Sequence, residues 1–511
     1  MPYMKIIPFQ TEFRQELPTI LGNVDYQRFR EQLIRMDELL NQSQLDKEIS
    51  NYLLSKAERR KKKSWIKKEA SSAKLTAYQT ARCREQACKV LRLGIARFLT
   101  GESYREFSCR LADSCLLRKF CMLDQIGLVK IPSKSTLERY EKSIPEYLLK
   151  KAIEKLVNKA SHKNPGGEQL LGLQKEISIS DSYLDTTCLK SNIHYPVDWV
   201  LLRDAVRTLS KVLVLIRKAG LKNRMQEPQK FMKEMNKLSI EMSHQSRQKN
   251  GKKKRKATLR LMKKLVNKVG GHAEKHKALL IKHWKETGLK KGEVYQIIQR
   301  IDNILKKLPE ALWQAHERII GERKVSSKDK MLSLYEEDIH VIVRGKSGAE
   351  VEFGNTLLVS EQEDGVIVDF KLFQYQCGKD SQLLQGNISR VQKTYGKKRV
   401  LSVTADRGFF SKNNNKYLES HGIGNYLCPL SPLELATRME EESFIAHQKR
   451  RALTEARIGI LKNIFLGDPL RSKGFKSRRR SVAWSVLTHN LWVIARLPQA
   501  KEEKKEFLKA V

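Results

Sequence analysis

A change of hydrophobic period along the chain constrains its fold more than any other feature. Lys175 to Thr187 reads as a strand, with Ile177, Ile179 and Tyr183 alternating in register. Directly after it comes a long helical pattern, Trp199 to Arg323, and only then do further strand-like runs appear. Inside the helical stretch, Leu202, Val206, Leu209, Leu213 and Ile216 keep a seven-residue repeat that implies a helix-packing seam. Phe231, Met235, Leu238 and Met242 follow the same spacing, as do Ile297, Ile301, Ile304 and Leu308, with Pro309 expected to end that run. Between these seams, Lys249 to Lys256 reads as a basic loop.

Beyond the helices, Ile339 to Val343, Val351 to Val359 and Val366 to Phe373 are β-rich and separated by Gly345, Gly348 and Gly365. A helix near Ser381 to Tyr395, a strand from Arg399 to Thr404 and a helix near Asn413 to Ser420, stopped by Gly422, complete the alternation. The pattern predicts an α+β fold: a mixed sheet covered by helices, interrupted after its first strand by a long helical insertion. Such a sheet stays whole only if the ends of the insertion emerge close together at one edge.

The N-terminal part is helical from Asp25 to about Lys159, with Phe29, Leu33, Met36 and Leu40 on one face. Arg59 to Lys68 contains seven Lys or Arg around Trp65, which suits a phosphate-facing surface and equally a solvated linker. Ser103 to Tyr140 reads as short helices punctuated by Gly101, Gly127 and Pro132, with Ser135-x-x-Glu138 as a capping box. Short helices joined by tight turns suit a helix-turn-helix module and equally any small helical bundle.

Against 57 Asp plus Glu the chain carries 99 Lys plus Arg, a formal charge of +42, so a polyanionic partner is expected. Met1 to Gln10 lacks the basic and apolar regions of a secretory signal, and no stretch reads as membrane-spanning. Val482 to Leu497 is interrupted by His489, Asn490 and Arg496 and reads as a buried amphipathic helix. The eight cysteines form no Cys-x-x-Cys pair, which fits a reducing cytosol.

If the polyanion is also a substrate, phosphodiester chemistry calls for carboxylates that share divalent cations, because hard oxygen ligands suit Mg²⁺. Asp185 ends the apolar alternation of its strand, and Asp406 follows directly on Val400-Leu401-Val403. Glu455 lies within Leu453 to Phe465, where Leu453, Ile460, Leu461 and Ile464 would pack on the sheet. Spacing alone leaves each acid equally readable as a surface or turn carboxylate. Asp181 is a fallback for the first ligand, Glu350 and Glu352 read as solvent-facing, and His272-x-x-x-His276 reads as a solvated helix face rather than a metal pair.

Four stretches resemble the bacterial insertion-sequence transposases of the DDE superfamily. They are Asp185 to Asp198 with its Asn192-Ile-His-Tyr-Pro196 run, Val343-Arg-Gly-Lys346 with Val351-Glu-Phe-Gly354, and Ala405-Asp-Arg-Gly-Phe409. The last is Arg451, Glu455 and Lys462 at the family's spacing, with Gln448 where the family carries Tyr. Ser103-Tyr-Arg-Glu and Pro132-Ser-Lys-Ser-Thr136 are similar to the family's N-terminal helical domain.

The resemblance implies a ribonuclease-H-like catalytic domain whose Asp185, Asp406 and Glu455 hold two Mg²⁺ ions, with Mn²⁺ able to substitute. It also implies an N-terminal helical region that binds double-stranded DNA at terminal inverted repeats. Arg407, Arg451, Lys462, His194, Arg344 and Lys346 are the DNA-contacting candidates. Arg407 could equally brace its loop, and His194 with Tyr195 could equally pack beneath the site.

The implied division is 1–75 a basic helical region, 76–165 helix-turn-helix-like, 170–198 with 331–498 catalytic, 199–330 the helical insertion and 499–511 a charged tail. A homodimer across the heptad seams, no membrane or small-molecule partner, and a bacterial cytoplasmic, nucleoid-associated location complete the expectation. The alternative is a transposase-derived DNA-binding protein that no longer cuts.

Overall fold

The computed structural model describes residues 21–66, 74–124, 129–346 and 349–500, with the side chains at 64–66, 344–346 and 349–350 left aside. Gly127, the last residues of the Arg59 to Lys68 run, the Met1 to Gln10 start and nearly all of the charged tail lie outside the described residues. The fold is α+β, with a six-stranded mixed sheet in the order β2-β3-β1-β5-β6 and β4 paired to β3. Contacts divide the chain into two compact units. The first comprises Met1–Leu189, Thr356–Phe373 and Cys377–Val511, and the second Lys190–Asn355 with Gln374–Gln376.

In the first unit, seven helices among the described residues precede the sheet: α1 (Val24–Ser43), α2 (Leu45–Ile66), α3 (Ala77–Thr100), α4 (Tyr104–Asp113), α5 (Cys115–Phe120), α6 (Lys134–Ser143) and α7 (Glu146–Ala160). The Leu33, Met36 and Leu40 face of α1 is buried as its spacing predicts. Arg92 of α3 is buried too, and its charge is tolerated because Asp37 (2.7 Å) and Asp46 (2.9 Å) close on it. Capping boxes form at Thr76 with Gln79 and at Ser103 with Glu106. The expected box at Ser135 does not: α6 begins at Lys134, capped by Ser133, whose hydroxyl turns to Ser135 and Thr136 instead.

The strands of this unit pack between α7 and the C-terminal helices. They are β1 (Asp181–Lys190), the later half of β3 (Ala349–Glu361), β4 (Ile367–Leu372), β5 (Ser402–Ala405) and β6 (Gly424–Leu427). β5 pairs in parallel with β1 on one side and β6 on the other, while β4 runs antiparallel to β3. Helices α12 (Leu384–Tyr395), α13 (Lys412–Ser420), α14 (Pro432–Arg438), α15 (Glu442–Ile460) and α16 (Phe475–Ile494) complete it.

The last of these corrects the amphipathic reading of Val482 to Leu497. Around the whole circumference of α16 side chains are buried, Val482, Trp484, His489 and Asn490 among them. Among its buried polar groups, Asn490 exchanges hydrogen bonds with the distant backbone of Ile367 at 2.9 and 2.8 Å. No helix among the described residues is long and apolar enough to cross a membrane.

The second unit is a bundle of α8 (Asp198–Lys218), α9 (Pro228–Gln245), α10 (Gly251–His283) and α11 (Lys291–Ala315), followed by β2 (His340–Lys346) and the first half of β3. All three heptad seams are buried against one another inside this bundle, so they are not the free surface a dimer would use. The basic stretch Lys249 to Lys256 is no loop. α10 starts at Gly251, which approaches the Gln245 carbonyl too closely for any side chain.

Pro309 does not end α11, which runs on to Ala315. A proline inside a helix costs about 3 kcal/mol. Burial of Ile304, Leu308 and Ala311 on the same face outweighs it, at about 1.5–3 kcal/mol for each large side chain. His276 is not solvated either: it is fully buried and donates from Nδ1 to the His272 carbonyl at 2.8 Å. Glu352 turns to Lys190 at 3.4 Å rather than to solvent.

Candidate active site

The parallel register of β1 with β5 builds the site. Leu184 pairs with Ala405, the last residue of β5, so Asp185 and Asp406 leave that pair side by side, just past the last paired residues of two neighbouring strands. Asp185 is not at the end of its own strand, since β1 continues to Lys190; it stands where the β5 pairing stops. The Thr186 N–H donates to Asp185 Oδ1 at 2.7 Å, and the Gly408 N–H donates to Asp406 Oδ1 at 3.0 Å. Both carboxylates are thereby fixed by the backbone next to them.

Helix α15 brings the third acid. Its His447 ring stacks on Tyr426 at 3.8 Å, and its Nδ1 lies 3.2 Å from Thr404 Oγ1 and 3.3 Å from Tyr183 Oη. Further along the same helix, Arg450 Nη1 (3.0 Å) and Thr454 Oγ1 (2.7 Å) donate to the buried carboxylate of Glu361 at the end of β3. Arg457 lies 3.6 Å from the same group. These contacts lock the rotation of the helix and leave Glu455 on its open side, where it pairs with Arg451 at 3.1 Å.

The buried face runs through Phe444, Thr454 and Ile458. Leu453 and Ile464, expected to pack on the sheet, are therefore exposed. The helix widens into a π-turn from Leu461 to Leu466, so Lys462 departs from the seven-residue spacing that would set it on the Glu455 face.

Negative charge accumulates without full compensation. Burial first, then the Asp406 carboxylate and to a lesser degree Glu455, push Asp185 up from 3.8 to about 6, against the Thr186 N–H and Arg451, which pull it down. A fourth acid, which sequence reasoning missed, stands close by. Thr186 Oγ1 donates to Asp380 Oδ2 at 3.0 Å, and a side chain at Gly408 would meet both Asp380 and Asp406. The Gly378-Lys-Asp380 stretch reads only as a turn, so nothing in it announces that role.

These oxygens are the hard donors that Mg²⁺ or Mn²⁺ prefers. As the side chains stand, no group of three or more His, Cys, Asp or Glu among the described residues is gathered tightly enough to hold a metal. Glu455 is turned to Arg451 instead.

The remaining candidates divide between the two units. Arg407 is exposed in the turn after Asp406. Asp181 is held by Ser180 (2.7 Å) and Ser402 (2.5 Å), which accounts for its carboxylate without a metal. Gln448 donates to the Tyr426 carbonyl at 2.7 Å and accepts from Arg451 Nε at 3.2 Å, so it braces the arginine next to Glu455. His194, Arg344 and Lys346 belong to the second unit. There His194 and Tyr195 are exposed rather than packed beneath anything, and Arg344 and Lys346 lie on β2. Compared with known proteins, the chain matches no family model, no curated protein and no solved structure at a significant level.

Proposed function

We propose that this chain is a DDE transposase that binds the terminal inverted repeats of an insertion sequence and cuts and joins DNA strands with Asp185, Asp406 and Glu455. The observation that carries the reading is the placement of Asp185 beside Asp406 at the end of paired parallel strands, with α15 holding Glu455 within electrostatic reach of them. The sheet order, with β3 and β4 on one side of β1 and the parallel β5 and β6 on the other, supports a ribonuclease-H-like catalytic domain. The helices between β1 and β2 are then the insertion.

Asp185, Asp406 and Glu455 would hold two Mg²⁺ ions, or Mn²⁺ in their place, which when bound supply an activated water and neutralise charge at the scissile phosphate. The protein's own groups do the rest. The Thr186 and Gly408 N–H groups orient the two aspartates, and the Glu361 cluster fixes the helix that carries the glutamate. Arg451, braced by Gln448, exchanges its Glu455 partner for a phosphate oxygen, and exposed Arg407 approaches the same backbone.

The reading places the protein with duplex DNA, at the nucleoid of a bacterial cytoplasm, as a dimer that holds two element ends together. A supercoiled plasmid carrying the DNA that flanks the gene tests it. In Mg²⁺ the protein should leave nicks with 3′ hydroxyls at the inverted repeats, and Asp406→Ala should bind the same DNA without nicking it. Binding with no nicks in either Mg²⁺ or Mn²⁺ would instead identify a DNA-binding protein that no longer cuts.

A further inference from the structure

The helical bundle of the second unit carries a cationic cleft that this chemistry does not use. It encloses about 860 Å³ and is walled by the first turn of α10, the turn after α11 and the segment beyond it. Six of its lining residues are Lys or Arg, and Glu322 is the one carboxylate among them. Arg318 is committed to Asp198 at 2.9 Å and Arg323 to Glu317 at 2.5 Å, and Arg255 lies over the Trp199 ring at 5.6 Å. Lys324 is exposed and Lys330 half-buried.

Glu322 gives the cleft its meaning. Its backbone sits at φ 53, the left-handed region that a side-chain-bearing residue seldom adopts, and its carboxylate bridges Lys252 at 3.3 Å and Lys256 at 2.8 Å. The chain thus bends its own anion into the place where these cations converge. A phosphate oxygen arriving there would make the same contacts and release Glu322 to solvent.

None of the lining residues is aromatic, so exposed bases would find nothing to stack on. Ser326 and Ser327 add neutral donors of the kind that meet phosphate oxygens. We propose that this cleft is a separate docking surface for the backbone of double-stranded DNA, with Glu322 as the resident anion that a phosphate displaces. The inference goes beyond the three-acid chemistry and does not depend on cleavage.

The test is binding of the full chain to a short labelled duplex of arbitrary sequence, without divalent ions, across roughly 50–200 mM salt. Lys252→Glu, Lys324→Glu and Lys330→Glu together should weaken binding about ten-fold or more and flatten the salt slope by about two to three. The matched reversal of exposed Lys230, Lys233 and Lys237 on α9 should do much less.

Glu322→Gln should tighten binding roughly two- to four-fold, while Glu310→Gln on α11 leaves it unchanged; a gain of affinity cannot arise from misfolding. The proposal is overturned if the cleft and α9 reversals behave alike, if Glu322→Gln gives no gain, or if the losses appear only with duplex RNA or single strands. Nicking of a supercoiled plasmid in Mg²⁺ by the parent and the cleft variants, measured in parallel, reads the cleavage chemistry separately. A failure of the cleavage reading would therefore show in nicking alone.

Discussion

Asp185 and Asp406 occupy equivalent places on two adjacent parallel strands, each directly after the last residue of the pairing that joins Leu184 to Ala405. Asp406 follows the carboxyl end of β5, the place where open sheets build their sites because the chain turns away there. Burial first, and repulsion between the two carboxylates second, make the ionised pair a cost in stability.

That cost is measurable. Asp185 holds its proton more tightly in the folded chain than the ordinary 3.8, up to about 6. The folded state is therefore unburdened below pH 4 and loses stability as pH rises towards 6, on the order of 3 kcal/mol once the group is ionised. In chelator, Asp185→Asn should unfold at higher urea than the parent at pH 7.5, with the gap closing near pH 4. A gap that stayed constant with pH would assign it to packing instead.

Glu361 should matter as much to the site as the acids themselves, although it lies behind α15. Glu361→Ala leaves Arg450 and Arg457 without their buried partner and Thr454 without its acceptor. The expected loss is about 3 kcal/mol or more. Strand cleavage should fall with it even below the melting transition, because α15 is free to rotate; unchanged cleavage in a folded variant would deny Glu361 this role.

Gly94 sets how closely α3 approaches α16. A Cβ there would stand 2.5 Å from the ring of Trp484, which is fully buried and stacked on Phe98 with centroids 6.3 Å apart. Gly94→Ala should therefore destabilise the first unit by about 1–3 kcal/mol, in spite of alanine's better helix propensity. Thermal melts of the two proteins decide the sign.

Much of this arrangement is legible in the sequence because it rests on local period. The Ile177, Ile179 and Tyr183 alternation marks β1, the heptads mark the bundle, and both aspartates follow recognisable strand patterns. β6 is not legible: Gly424 to Leu427 is four residues long and carries no alternation. Neither are the facing of α15 nor the bonds to Glu361, because they join residues about ninety positions apart, and a seven-residue spacing cannot anticipate the π-turn at Leu461. Pro309 and Lys249 to Lys256 misled for a related reason, since tertiary burial overrode a local helix-breaking or loop signal.

Divalent-cation binding tests the central claim most directly. Titrating Mn²⁺ into the protein with an element-end duplex, and counting bound ions by electron paramagnetic resonance, should give two sites in the parent. Asp185→Asn and Asp406→Asn should each lose at least one while still binding the duplex. Equal stoichiometry in all three proteins, or no bound Mn²⁺ in the parent, would contradict the account.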